Sequence, residues 1–128
     1  MPRLGVFCNR WIAWSGVAAI AATIAVLSLV PQPEQIVPVH VWDKLSHVLA
    51  YGLLSATLNH ALICSRREQR HRIPIAISLS TLYGVVLEVA QFFAPPRTCD
   101  VFDAVANCIG ACIGAGAYSC FMALRGGE

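Results

Sequence analysis

Four long apolar runs dominate this sequence and restrict the folds open to it. They cover residues 11–30, 45–64, 73–93 and 101–124. Each is close to the ~20 residues that an α-helix needs to cross a bilayer core. Because lipid offers no hydrogen bonds to the backbone, a spanning segment of this kind satisfies its own amides as a helix. With 57% hydrophobic and 12% charged residues, the chain is predicted to be an all-α integral membrane protein. We expect a compact bundle of four transmembrane helices that forms one domain over residues 1–128.

The basic residues lie mostly on one side of the predicted membrane. Seven arginines fall in the N-terminal segment, the loop 66–72 and the C-terminus, whereas only Lys44 and Arg97 fall in the segments on the other side. Cytoplasmic segments of membrane proteins carry the excess of Lys and Arg. We therefore predict that both termini are cytoplasmic and that Lys44 and Arg97 lie on the outer side.

Polar side chains recur at helical spacing in the outer halves of the second, third and fourth runs. An ionisable group inside a membrane segment is costly and is retained mainly where it has a function. Residues three or four apart share one face of a helix, so each of these runs presents a polar face. The residues are Lys44, His47 and Tyr51 in the second run, Glu88 and Gln91 in the third, Arg97 in the following loop, and Asp103 and Asn107 in the fourth. We predict that these side chains converge, and that the carboxylate of Glu88 is paired, protonated or solvated in a cavity.

Below this polar face the fourth run continues with two glycines four residues apart, Gly110 and Gly114. Small residues at this spacing allow two helices to approach closely in lipid. The face that carries Asn107 and both glycines is therefore predicted to point towards the other helices.

Two motifs in these runs resemble those of a known family. The first is Asp43-Lys44-x-x-His47-x-x-x-Tyr51, which resembles the helix-two motif of the VanZ-like membrane proteins. The second resembles the other motif of that family and consists of Glu88, Gln91, Phe93, Pro95, Arg97, Asp103, Asn107, Gly110 and Gly114. One departure is Pro96, where these proteins often have glycine.

The resemblance implies a compact four-helix membrane fold in the bacterial cytoplasmic (inner) membrane. Named members are linked to resistance against glycopeptide antibiotics such as teicoplanin, which target cell-wall precursors. A proposed grouping places the family among small membrane enzymes that act on lipid head groups.

Our leading hypothesis is an enzyme that acts on a phosphate-linked lipid head group or a lipid-linked cell-wall precursor in the outer leaflet. His47 is the predicted general base, acid or nucleophile, because imidazole exchanges protons near neutral pH. Glu88 or Asp103 is expected to orient it. Lys44 and Arg97 are expected to bind phosphate. The remaining predicted substrate-binding residues, which position oxygens of the substrate, are Tyr51, Gln91 and Asn107.

Other interpretations of the same residues stay open. The polar groups could form ion pairs that only hold the helices in register. The protein could bind a lipid-linked precursor without catalysis. No cofactor or metal site is predicted, although the excess of carboxylates over cations would also suit a divalent ion.

The remaining features point to few other functions. The six cysteines are interpreted as small apolar residues. A net charge of only +2 gives no basis for nucleic-acid binding. The lipid bilayer is the predicted partner, and the oligomeric state stays open.

Overall fold

The structure is a computed structural model that describes residues 8–29, 40–94 and 100–125, with only the backbone described for 40–43. Four helices account for most of these residues. They are α1 (Arg10–Leu29), α2 (His40–Cys64), α3 (Gln69–Phe92) and α4 (Val101–Arg125). Over these ranges there is no strand. All four helices are long and apolar enough to cross a membrane. The predicted all-α membrane fold is therefore confirmed.

The largest differences from the predicted bounds are at the starts of α2 and α3. α2 begins at His40 rather than at residue 45, and α3 begins at Gln69 rather than at residue 73. An apolar run marks only the lipid-embedded part of a helix, whereas the backbone hydrogen bonds continue through polar residues at the interface. The boundary error has this simple physical origin.

A tight turn between α2 and α3 makes these two helices antiparallel. Arg66 has a left-handed backbone, with φ of 57°. Its N–H donates to the carbonyl of Ile63 at 2.9 Å, and the N–H of Arg67 donates to the carbonyl of Leu62 at 3.0 Å. This pattern is a Schellman cap, which usually has glycine at the left-handed position. The turn terminates α2 without a glycine.

The bundle has two ends, which we name by residues of α2. The Lys44 end contains the start of α2, the end of α3 and the start of α4. The Cys64 end contains the opposite termini of the same helices. α2 and α4 are therefore parallel, and they form the most extensive helix–helix interface of the bundle.

Glycines allow α2 and α4 to approach until their backbones touch. A Cβ on Gly110 would lie 2.8 Å from the Cα of Val48. A Cβ on Gly114 would lie 2.7 Å from the Cα of Gly52. No real Cβ comes this close to a backbone carbon, so both positions require glycine at this helix separation. The predicted inward face of α4 is confirmed.

α1 packs against α2 and α3 and is tied to both by polar contacts. The Tyr83 hydroxyl donates to the carbonyl of Ala21 at 2.7 Å. At the Cys64 end the Trp14 indole N–H donates to the Ser65 hydroxyl at 3.0 Å. Contacts of this kind hold helices together in lipid, where association gains little from the hydrophobic effect.

A disulfide also joins the end of α2 to Cys8, which lies two residues before the start of α1. Cys8 and Cys64 are bonded across a sequence separation of 56 residues. The interpretation of these two cysteines as small apolar residues is therefore wrong. The sequence pattern could not show it, because the pairing depends on where α1 docks.

Much of the bundle's outer surface is apolar, while several polar side chains are inside. Leu82 and Phe102 are exposed to 60% and 70%. Asn59, by contrast, is buried and donates to the carbonyl of Ala115 at 3.2 Å and to the Ser119 hydroxyl at 2.8 Å. This distribution suits a lipid environment, in which interhelical hydrogen bonds lie in the interior.

Candidate functional site

The outermost contacts at the Lys44 end are ion pairs between α2 and the start of α4. The Lys44 ammonium contacts Asp100 Oδ2 at 3.1 Å and Asp103 Oδ1 at 3.0 Å. Asp100 also caps α4, since its Oδ1 accepts the backbone N–H of Phe102 at 2.8 Å. Carboxylates are favourable at a helix N-terminus because they offset its partial positive charge. The two aspartates thus stabilise the helix start and bind the ammonium group.

Below this ion pair the imidazole of His47 is held between α2 and α4. Its Nδ1 lies 2.8 Å from Asn107 Oδ1, and its Nε2 lies 3.9 Å from Asp103 Oδ2. The ring stacks on Tyr51 with a centroid distance of 6.2 Å. With an amide oxygen as its partner, Nδ1 carries the proton and donates it. Nε2 then faces the carboxylate of Asp103.

Glu88 brings a third reactive group from α3. Glu88 is only 4% exposed. One of its carboxylate oxygens lies within 4.8 Å of a ring nitrogen of His47 and of a carboxylate oxygen of Asp103. Glu88 Oε2 has no hydrogen-bond partner among the described residues. A buried acceptor of this kind is costly unless a ligand, ion or proton satisfies it.

Gly84 makes room for the innermost part of the site. A Cβ at this position would lie 2.6 Å from Asn107 Nδ2 and 2.9 Å from Tyr51 Cε1. Asn107 is fully buried, and its Nδ2 lacks a partner within the described part of the chain. The absence of a side chain on α3 therefore lets Asn107 lie under the imidazole and present its oxygen to Nδ1.

Comparison with known protein families identifies the family of this chain. The sequence profile described as VanZ/LLP1 matches residues 7–122, which is nearly the whole chain. The chain belongs to the VanZ/LLP1 family. The predicted resemblance to VanZ-like proteins is thereby confirmed. No curated protein and no solved structure matches this VanZ/LLP1 chain.

Six of the eight predicted site residues meet at the Lys44 end of this VanZ/LLP1 protein. They are Lys44, His47, Tyr51, Glu88, Asp103 and Asn107. Arg97 lies outside the described residues, so its phosphate-binding role stays a prediction. Gln91 is buried and points its amide towards α1, where Nε2 donates to the carbonyl of Ser28 at 2.8 Å. Its predicted contact with substrate also stays a prediction.

A carboxylate was predicted to orient His47, and the structure adds Asn107 in that position. The parallel register of α2 and α4 explains the pairing. Lys44 pairs with Asp103 across 59 residues, and His47 pairs with Asn107 across 60. Once the first pair is known, the second follows one helical turn deeper. The sequence signal for this pairing was the similar spacing of the polar residues on α2 and α4, three residues from Lys44 to His47 and four from Asp103 to Asn107.

A second polar cluster lies at the Cys64 end of this VanZ/LLP1 bundle. His60 Nδ1 lies 2.6 Å from the Tyr118 hydroxyl, and His60 Nε2 lies 3.6 Å from the sulfur of Cys64. His60 was not among the predicted site residues. The contacts show a histidine that links α2 to α4 and lies beside the disulfide.

Proposed function

We propose that this protein is an enzyme that acts on phosphate-linked lipid head groups at the membrane face of the Lys44 end. We place it in the bacterial cytoplasmic membrane, with both termini in the cytoplasm and the Lys44 end outward. The arginines of the loop 66–72 and the termini support this orientation, whereas the Cys8–Cys64 bond would be unusual on the cytoplasmic side. The substrate would then come from the outer leaflet.

The observation that carries the proposal is the setting of His47. Its side chain is 15% exposed, and Asn107 holds its Nδ1 at 2.8 Å. The carboxylates of Asp103 and Glu88 approach the same imidazole within 4.8 Å. A histidine held by a second group, beside carboxylates and at the end of a membrane bundle, has the arrangement of a proton-transfer site.

Exposure across the site falls from the surface inwards. Lys44 and Asp100 have side chains exposed to 38% and 40%, and Asp103 to 11%. The Lys44 ammonium also lies 5.6 Å from the centroid of the exposed Phe102 ring. A head group that arrives from the bilayer surface would meet the ammonium first and His47 next. Lys44 would bind a phosphate oxygen by exchanging one of its two carboxylate partners.

In its simplest form the reaction is general-base catalysis at phosphorus. The imidazole takes a proton from an attacking water or alcohol, whose oxygen bonds to phosphorus. The bond from phosphorus to the leaving alcohol breaks, and the imidazolium returns a proton to that alcohol. Proton transfer of this kind contributes ~10²–10⁴-fold to a rate. Asp103 would stabilise the imidazolium through its carboxylate.

Cell-wall precursors carried on lipid are one class of phosphate-linked substrate. Action on such a precursor would link this chain to glycopeptide resistance. The family membership and the location of the site support this extension, and it is tested separately by expressing the protein in a teicoplanin-sensitive host. The resistance phenotype should require His47.

The direct test uses purified protein in vesicles that contain phospholipids or a lipid-linked diphosphate, with released phosphate or head group as the readout. His47→Gln and Glu88→Gln are expected to lose at least ~10²-fold in turnover. His60→Gln is the matched control, because it removes the same type of side chain from the opposite end of the bundle. Equal turnover in all three variants would refute the proposal.

The contacts of Lys44 and Asp100 favour a structural role for these two residues, as an alternative to a role in substrate binding. Lys44 bridges two carboxylates at 3.0 and 3.1 Å, and Asp100 is also the cap of α4. Replacing both Lys44 and Asp100 with Met and Asn keeps the net charge. If the pair is only structural, this double variant retains turnover while its free energy of unfolding falls.

A further inference from the structure

The carboxylates and the imidazole at the Lys44 end also have the arrangement of a cation site. From this geometry we infer that His47, Glu88 and Asp103 bind one divalent transition-metal ion, Mn²⁺ or Zn²⁺, which in turn binds the substrate phosphate. The inference rests on the proposed function for its substrate and stands separately as a binding site.

The distances come close to those that a single ion requires. One ligand atom from each of the three residues lies within 4.8 Å of the other two. His47 Nε2 and Asp103 Oδ2 are 3.9 Å apart. Ligand atoms ~2.1 Å from an ion and adjacent in its coordination shell stand about 3.0–3.4 Å from each other. Closing a separation of 4.8 Å to this range takes about 1.4–1.8 Å, which the rotations of two side chains would share.

A second, independent observation is the unsatisfied oxygen of Glu88. This residue is 4% exposed, and its Oε2 has no hydrogen-bond partner among the residues that the structure describes. Its carboxylate points into the group formed with His47 and Asp103. A bound cation would satisfy this oxygen and offset the cost of burying the charge.

The surrounding residues resemble the outer shell of a metal centre. A metal-bound histidine usually donates its other ring N–H to a fixed acceptor, which sets the tautomer and the ring orientation. Asn107 Oδ1 is such an acceptor for His47 Nδ1, at 2.8 Å. Asp103 has an equivalent arrangement, since Lys44 holds Oδ1 at 3.0 Å and Oδ2 faces the imidazole.

The charge and the donor types indicate which ion would bind. Among the described side chains of the site there are three carboxylates, those of Glu88, Asp100 and Asp103, and one ammonium, that of Lys44. Two carboxylates and one imidazole suit Zn²⁺, a borderline ion, or Mn²⁺, a harder ion that favours the carboxylates, better than Ca²⁺, which prefers oxygen ligands alone. Three protein ligands leave positions open for water and phosphate oxygens.

Metal binding would change the role of His47 in the reaction. Nε2 would be a ligand, and a water on the ion would be the group that loses a proton before attack. The ion would also polarise a phosphate oxygen. Both forms of the reaction use the same residues, and metal content distinguishes them.

The test is metal binding by the full-length protein in detergent. After chelation, the protein is titrated with Mn²⁺ and the free ion is followed by electron paramagnetic resonance; Zn²⁺ is measured by mass spectrometry after dialysis. One ion per chain is expected. Glu88→Gln and Asp103→Asn should weaken binding by at least ~100-fold, and Asn107→Leu by ~10–100-fold, as for other outer-shell partners.

Two variants separate a lost ligand from a lost fold. Asp100→Asn removes a carboxylate from the same end without removing a proposed ligand, and it should retain one ion per chain. His47→Cys replaces imidazole with thiolate, so Zn²⁺ binding should persist while Mn²⁺ binding is lost. Equal binding in Glu88→Gln and Asp100→Asn would overturn the assignment, as would the absence of any bound ion.

The outcomes also separate this inference from the proposed function. Head-group turnover that needs His47 and Glu88 but persists in metal-free protein would reject the metal site and retain the enzyme. One bound ion per chain without turnover of any phosphate-linked lipid would retain the metal site and reject the enzyme.

Discussion

Replacing Gly110 with alanine should separate α2 from α4 and disturb the site above the contact. The added Cβ would lie 2.8 Å from the Cα of Val48, and ordinary contact begins at 3.4 Å. The shortfall against this carbon is 0.6 Å, and the Val48 carbonyl oxygen lies closer still, so 0.6 Å is the least displacement required of a backbone that cannot rotate away. Overpacking of this kind costs about 1–3 kcal/mol in free energy of unfolding. Alanine would otherwise be favourable, because it has a higher helix propensity than glycine.

The same displacement should break the contact that orients the imidazole. Val48 is adjacent to His47, and Gly110 is three residues from Asn107. If α2 retreats by at least 0.6 Å, the 2.8 Å distance between His47 Nδ1 and Asn107 Oδ1 becomes about 3.4 Å or more. This exceeds the usual range for an N–H···O hydrogen bond. The imidazole ¹⁵N chemical shifts of His47 should change accordingly.

The assay is unfolding in detergent by SDS titration, with Gly116→Ala as the matched control. Gly116 lies on the same helix, and a Cβ there would have nothing within 4 Å. Gly52→Ala is an intermediate case, since its Cβ would lie 3.1 Å from the carbonyl oxygen of Gly110. The free energy of unfolding should be highest for Gly116→Ala, lower for Gly52→Ala and lowest for Gly110→Ala. If Gly110→Ala is as stable as Gly116→Ala, the close packing of α2 on α4 is wrong.

Further predictions concern the remaining contacts of the bundle. Asn59→Leu removes two interhelical hydrogen bonds and should lower the free energy of unfolding by about 1 kcal/mol, measured by SDS titration; a more stable variant would contradict it. Arg66→Gly places glycine at a position with left-handed backbone and should raise the free energy of unfolding by about 1 kcal/mol. Arg67→Gly, next to it, should give no gain. Maleimide labelling of denatured protein should detect two more thiols after reduction, and this increase should vanish in a Cys8→Ser, Cys64→Ser double variant.

Most of the candidate site could be predicted from residue type and spacing. The polar residues share helix faces and lie at matching depths, so a four-helix topology places them at one end. Which groups touch was less predictable. Asn107 became the partner of His47 because Gly84 leaves space beside it, and Gln91 turned to α1 because α1 docks along that side of α3.

The sequence by itself determined the membrane class, the number of helices and the end of the bundle at which the polar groups gather. These properties depend on hydropathy and helical period, which are local. Tertiary structure alone decided the close approach of α2 and α4, the pairing of His47 with Asn107, and the bond between Cys8 and Cys64. Each of these depends on how far apart two helices lie and how they are rotated, and no single segment of the chain contains that information.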